Sequence, residues 1–242
     1  QKIREQLIQS AGGDARKMLN TLEVSMHLIS GKGTITEKIL SEALQRRSQL
    51  YDKTGDYHYD TISAFIKSVR GSDPDAAIYW LAIMIEGGEK PEFIARRLII
   101  LASEDISNAD PQGLTLAVSG FQAVHMIGMP EAAIILAQVT TYLSGAPKSN
   151  ASYRAIQTAL EQIKEEGTPG VPLHLRNAPT GLMKALDYGK DYEYPHTYPE
   201  HFVDVNYFPD GAVKSFYHPT EQGYEKFISE RLKHFWPDRY KD

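Results

Sequence analysis

Tyr51–Asp110 reads YDKTGDYHYDTISAFIKSVRGSDPDAAIYWLAIMIEGGEKPEFIARRLIILASEDISNAD. Two of its segments, Ala76–Ile85 and Phe93–Ala102, are apolar nearly all round. Helices of that kind must be covered on more than one side. Asp73–Pro74 precedes the first segment. Asp caps a helix, and Pro fits its first position, where a missing N–H costs nothing. Gly87–Gly88 stops that helix near Glu86, and Pro91 opens the next, which is predicted to run to about Glu104. Upstream, Asp52–Tyr59 is polar and aromatic and contains one glycine, so an ordered loop is expected there. A helix from Asp60 or Thr61 to Val69 follows and ends at Gly71–Ser72. The stretch predicts a dense helical core dressed with specific charges.

The same punctuation extends in both directions. Lys2–Ser10 is a short amphipathic helix, and Asp14 stands as a cap before a second one, Ala15–Ile29. Thr36 caps a third, Glu37–Arg46. Arg16 sits near a helix N-terminus, where its charge opposes the helix dipole, so a carboxylate or phosphate partner is expected. Downstream, Asp110–Pro111 repeats the cap-plus-proline device. Met129–Pro130 marks another boundary, and Glu131–Leu143 and Ala151–Lys164 complete the series. Start signals recur every ~18–20 residues, which suits paired helices joined by short turns.

Composition changes after Gly167. Residues 168–219 carry seven prolines, Pro169 to Pro219, and Tyr188, Tyr192, Tyr194, Tyr198 and Tyr207. The prolines favour an extended path, and the aromatics favour docking onto a surface. One short helix is expected at Thr180–Tyr188, a short strand or edge at Phe202–Phe208, and a final helix at Glu221–Phe235.

The chain has 242 residues, 42% of them apolar, and a net charge of -5. That balance argues against a surface that binds nucleic acid everywhere, while leaving room for a local basic face. There are no cysteines, which excludes disulfides, thiolate catalysis and cysteine zinc sites. No apolar run reaches the ~18 residues of a membrane span. No GxxxxGK[ST] run occurs, and Gly31–Lys32–Gly33 lacks the strand and spacing of a phosphate loop. His58 lies between Asp56 and Asp60, a combination that suits zinc or iron, but no HxxxH or ExxH pair supports it. Arg97 and Glu104 fall on roughly one helix face, where ion pairing is the expected role. Lys67, Arg70, Arg96 and Arg97 are candidates for phosphate contact. Trp80, Tyr79, Tyr142 and Tyr153 are candidates for an interface. No catalytic residue and no metal ligand is assigned.

Several long motifs point to one family. They are YDKTGDYHYDTISAFIKSVRGSDPDAAIYWLA, EFIARRLIILASEDISNADP, APKSN at Ala146–Asn150 and VPLHLRNAPT at Val171–Thr180. In this order they resemble the replication-associated recombination protein A family, also called MgsA or RarA, whose eukaryotic relatives are the Werner-helicase-interacting ATPases. The resemblance implies an all-α, collar-like helical domain similar to clamp-loader C-terminal domains, with a Pro/Tyr-rich extended arm and a terminal helix. It implies three parts: 1–48 as the remnant of a AAA+ lid, 49–167 as an oligomerisation collar, and 168–242 as the arm and final helix. Family members look like clamp loaders, act at stalled replication forks, and are DNA-dependent ATPases. They form homotetramers and associate with single-stranded-DNA-binding protein.

The resemblance further implies a AAA+ module in front of Gln1, with ATP and magnesium bound there and no cofactor in this fragment. GGDAR looks like the start of the sensor-2 helix, so Arg16 would face the nucleotide phosphates in the whole protein. Ser107–Asn108 departs mildly from the family's usual glycine-leucine. The expected setting is the bacterial cytoplasm, at the fork, with no membrane association. Two other roles stay open at this point. One is a DNA-contacting collar that senses single-stranded or primer-template DNA. The other is an independent enzyme built on converging Asp56, His58 or Glu104.

Overall fold

A computed structural model describes residues 2–11, 15–29, 33–49, 56–209 and 215–241. Among these the fold is all-α, with no strand. The helices are α1 (Lys2–Ala11), α2 (Ala15–Leu28), α3 (Glu37–Gln49), α4 (Asp56–Arg70), α5 (Pro74–Glu86) and α6 (Pro91–Leu101). They continue as α7 (Gln112–Ile127), α8 (Ala132–Gly145), α9 (Ala151–Glu166), α10 (Gly181–Ala185) and α11 (Glu225–Phe235). The chain divides into two compact units, residues 1–100 with 116–145, and residues 101–115 with 146–242. No described helix is long and apolar enough to cross a membrane.

In the first unit, α1, α2 and α3 pack on one another, and α4, α5 and α8 pack together. The start of α5 follows the sequence signal. Asp73 is extended, its Oδ1 accepts from Ala76 N at 2.9 Å, and Pro74 takes the first helical position. Thr36 likewise accepts from Ile39 N at 3.3 Å, before α3. α4 buries Thr61, Ile62, Phe65 and Val69, α5 buries Ala77, Leu81 and Met84, and α8 buries Ala132, Leu136, Val139 and Leu143. Removing each of the larger side chains from water contributes about 1.5–3 kcal/mol. Gly120 of α7 lets α8 approach, because a Cβ there would lie 2.6 Å from Val139 Cγ2.

The expected loop at Asp52–Tyr59 is corrected in part. Residues 52–55 lie outside the described residues, and α4 already begins at Asp56. His58 is buried on the same face as Thr61, Ile62 and Phe65, so the apolar stripe of α4 extends one turn further back than its polar sequence suggests.

The second unit begins where the helical hydrogen bonding after Leu101 widens into a π turn, Ala102–Ile106, rather than running on as α-helix to Glu104. A 3₁₀ turn, Ser107–Ala109, follows. α9 carries the longest regular segment of this unit. Over the described residues 167–209 and 215–224 the chain is extended and turned, broken by single 3₁₀ turns and α10. The expected strand at Phe202–Phe208 is not formed. Phe202 instead stacks on Phe235, with ring centroids 4.5 Å apart, and meets Trp236 edge-on at 5.1 Å. Arg239 covers Phe208 at 5.4 Å. The aromatics are spent against the α11 region, and no second strand pairs with their backbone.

The last helix starts at Glu225 rather than Glu221. Gly223, at a φ of +50°, makes the close approach that turns the chain there. Tyr224 N donates to Ala109 O at 2.8 Å, and a Cβ on Gly223 would come within 2.7 Å of Pro147.

Candidate interaction surfaces

The basic candidates all lie in the first unit. Lys67 and Arg70 are exposed in the last turn of α4, where positive charge complements the helix dipole. Arg96 is exposed on α6, with its guanidinium 6.0 Å from the centre of the Phe93 ring. Arg97 is half-buried, and its Nε is shut away from water without a hydrogen bond. Arg16 stands in the first turn of α2, and its side chain lies outside the described residues.

Among the interface candidates, Tyr79 is 62% exposed and meets the half-buried Trp80 edge-on at 5.4 Å. Tyr142 and Tyr153 are partly exposed on α8 and α9. Tyr79, Trp80 and Tyr142 belong to the first unit and Tyr153 to the second.

The histidine between aspartates has a structural job. Nδ1 of His58 lies 2.7 Å from Oε2 of Glu89, although the approach lacks hydrogen-bond alignment. Both side chains are buried, and Phe93 lies 5.5 Å from the imidazole. Oε1 of Glu89 accepts from Lys90 N at 3.0 Å. The pair therefore ties the first turns of α4 to the α5–α6 turn. Asp60 is exposed, and the side chain of Asp56 lies outside the described residues. Among the described residues no three His, Cys, Asp or Glu side chains are grouped to hold a metal.

The strongest polar construction was not anticipated from the sequence. Glu225 is fully buried at the start of α11. Its Oε2 accepts from Ser149 Oγ at 2.6 Å, from Thr220 N at 2.9 Å and from Thr220 Oγ1 at 2.7 Å. Its Oε1 accepts from the Tyr217 hydroxyl at 3.0 Å. Burial alone pushes this carboxyl up, and the donors together outweigh it and hold the group below the ordinary carboxylate value. Tyr217 responds in the opposite sense. Burial, helped by the neighbouring Glu225 charge, pushes its phenol up to about 12. Nearby, Lys148 Nζ donates to Ala146 O at 2.6 Å, and burial lowers its pKa while Asp105 opposes the shift.

A relay of hydrogen bonds leads outward from Glu225. An ionised carboxylate only accepts, so Tyr217 donates to it. The Tyr217 oxygen then accepts from Asn108 Nδ2 at 3.3 Å. Nδ2 also donates to Ser152 Oγ at 3.3 Å, which accepts from Ser107 Oγ at 2.9 Å. Asn108, Ser152 and Tyr217 form the rim of a shallow open groove of about 420 Å³, whose floor is Ala155, Ile156 and Ala159 of α9.

Among the described residues the chain is all-α, and its sequence carries no GxxxxGK[ST] run. Residues 71–236 match the family described as MgsA AAA+ ATPase C terminal, and residues 1–70 match the AAA C-terminal domain. The chain belongs to the MgsA AAA+ ATPase C-terminal family. It is 42% identical to the replication-associated recombination protein A of Coxiella burnetii, over 96% of this chain and 54% of that protein. The identity to the protein of the same name in Escherichia coli K12 is 42%, over 96% and 53%. The ATPase WRNIP1 of Dictyostelium discoideum is 38% identical, over 93% and 27%. The chain thus spans about half the length of the bacterial relatives it matches. It corresponds to the family's C-terminal region, and its sequence contains no Walker A run.

Proposed function

We propose that this chain is the oligomerisation and interaction region of a AAA+ DNA-dependent ATPase that acts at stalled replication forks in replication, recombination and repair. The match of residues 71–236 to the MgsA C-terminal family carries this reading. Its parts are a lid remnant at 1–48, a collar at 49–167 and an arm with the final helix at 168–242. In the whole protein ATP and magnesium occupy the AAA+ core, and Arg16 reaches toward the nucleotide phosphates. The partners are three further copies, DNA and single-stranded-DNA-binding protein, in the cytoplasm at the fork. Tyr79, Trp80, Tyr142 and Tyr153 are the proposed interface positions. Tyr79, Tyr142 and Tyr153 are exposed and the half-buried Trp80 meets Tyr79, and aromatic side chains of this kind enrich interfaces, which supports that choice. Size-exclusion chromatography with light scattering tests it: a tetramer mass is expected, and a strict monomer at micromolar concentration overturns it.

A second reading is a DNA-contacting collar. Its support is the exposure of Lys67, Arg70 and Arg96 in one unit, with Arg97 beside them in sequence. Fluorescence anisotropy with single-stranded and primer-template oligonucleotides tests it. Salt-dependent binding is expected, and its absence at low salt removes this reading.

A further inference from the structure

The groove above α9 has a hydrogen-bonding polarity that its own structure dictates. Glu225 forces Tyr217 to donate inward, and Tyr217 forces Asn108 to point its Nδ2 at the rim. Both N–H groups of that amide are then committed, to Tyr217 and to Ser152. Among the described residues, Asn108 Oδ1 receives no donor, and the Ser152 hydroxyl, which accepts from Ser107 and Asn108, has no acceptor for its own proton. The rim therefore offers one acceptor and one donor side by side, above a floor of two alanines and an isoleucine. In an extended chain the N–H and C=O of one residue point to the same side, and the rim's pairing complements those two groups.

Charge narrows the occupant further. No cationic side chain lines the groove, and the Tyr217 phenol stays neutral. The ionised Glu225 lies directly behind Tyr217, at 3.0 Å. A phosphate or carboxylate brought to this rim meets the Glu225 charge behind Tyr217 and no cation among the lining residues, so nucleic acid and acidic tails are disfavoured. A helix also fits poorly, because its backbone groups are already paired internally. An extended segment has amides to spare.

We propose that this groove docks an extended, uncharged segment of a partner protein. One apolar side chain of that segment rests on Ala155 and Ala159, and the backbone N–H and C=O of one residue pair with Asn108 Oδ1 and the Ser152 hydroxyl. Ile156, 54% exposed, and Leu160, 45% exposed, continue the apolar face along α9 for the residues that follow. The site goes beyond the assembly role proposed above and stands or falls separately from it.

The test is NMR titration of the full 242-residue chain, with labelled alanine methyls and Asn side-chain amides. The probes are N-acetyl-leucine N-methylamide and, as its charged counterpart, N-acetyl-leucine. The neutral amide is expected to shift Ala155, Ala159 and the Asn108 amide, and the carboxylate to bind at least about tenfold more weakly. Ala159→Leu fills the floor and is expected to abolish the shifts while the remaining spectrum persists. Ala155→Val serves the same purpose if the first variant loses amide dispersion. Equal binding of both probes, shifts elsewhere, or shifts that survive both variants overturn the proposal. So does movement of the same resonances with oligothymidylate, or with dilution of the chain alone, which would assign the groove to DNA or to a second copy.

Discussion

Replacing Glu225 with glutamine changes one charge and almost no volume, and its cost follows from the four hydrogen bonds the carboxylate accepts. Three of them converge on Oε2, so the amide oxygen must take that position to avoid facing three donors with an N–H₂. The amide nitrogen then points at Tyr217, whose hydroxyl must give up its acceptor and turn away. Bonds to a charged acceptor are worth roughly 1.5–3 kcal/mol, and neutral ones roughly 0.5–1.5. Weakening three and losing one, with allowance for non-additivity, predicts a loss of about 2–3 kcal/mol for Glu225→Gln. Glu225→Ala leaves several buried donors unpaired and costs more.

The assay uses a convenience of the sequence. The chain has two tryptophans, Trp80 in the first unit and Trp236 in the second. In a Trp80→Phe background, urea unfolding followed by fluorescence reports on the unit that contains Glu225. The pH dependence supplies an independent check. The folded carboxyl is held below its ordinary value, so its contribution is fully present above the unfolded value and is lost as pH falls through the folded value. The gap between the wild type and Glu225→Gln is therefore constant near neutrality and narrows below about pH 4. A Gln variant within about 0.5 kcal/mol of wild type at pH 7, or a gap that does not change with acid, refutes the reasoning.

Gly120→Ala places a methyl group against Val139, and the overpacking exceeds the gain in helix propensity. A net loss of about 1–2 kcal/mol is expected from Trp80 fluorescence in a Trp236→Phe background, with partial recovery in the Gly120→Ala/Val139→Ala double variant. Glu89→Ala strips the buried partner from His58 and is expected to cost about 3 kcal/mol in the same assay, whereas His58→Leu with Glu89→Leu costs much less. If Lys67 and Arg96 contact phosphates, Lys67→Glu with Arg96→Glu lowers the slope of log K against log salt for single-stranded DNA by about 0.7 per lost contact. An unchanged slope removes those two residues from the interface.

The helical core was legible because its signals are local. Asp73–Pro74 and Gly87–Gly88 stand directly at the two ends of α5, and its apolar faces announce burial without reference to any partner. The Glu225 construction was not legible, because its donors come from positions 149, 217 and 220. Within EKFISERLKHF a buried glutamate looks like any solvated one. His58 presented the same difficulty in another form. Its aspartate neighbours suggested a metal, while its true partner, Glu89, lies two helices' length further on. Phe202–Phe208 has the composition of a strand, but composition does not say whether the aromatics will find a neighbouring strand or a helix, and here they meet the α11 region.

The second unit joins residues 101–115 to everything after residue 145, with part of the first unit intervening in the chain. On the ribosome this imposes a delay. Ala109 must wait for Gly223 and Tyr224 to emerge, roughly a hundred residues later, which at about 5–20 residues per second is on the order of 5–20 seconds. During that interval the Ser149 hydroxyl lacks the carboxylate that will accept from it. Nascent chains halted just short of Glu225 should consequently hold a finished first unit beside an unfinished second one, a state open to chaperones and proteases that the completed protein does not display.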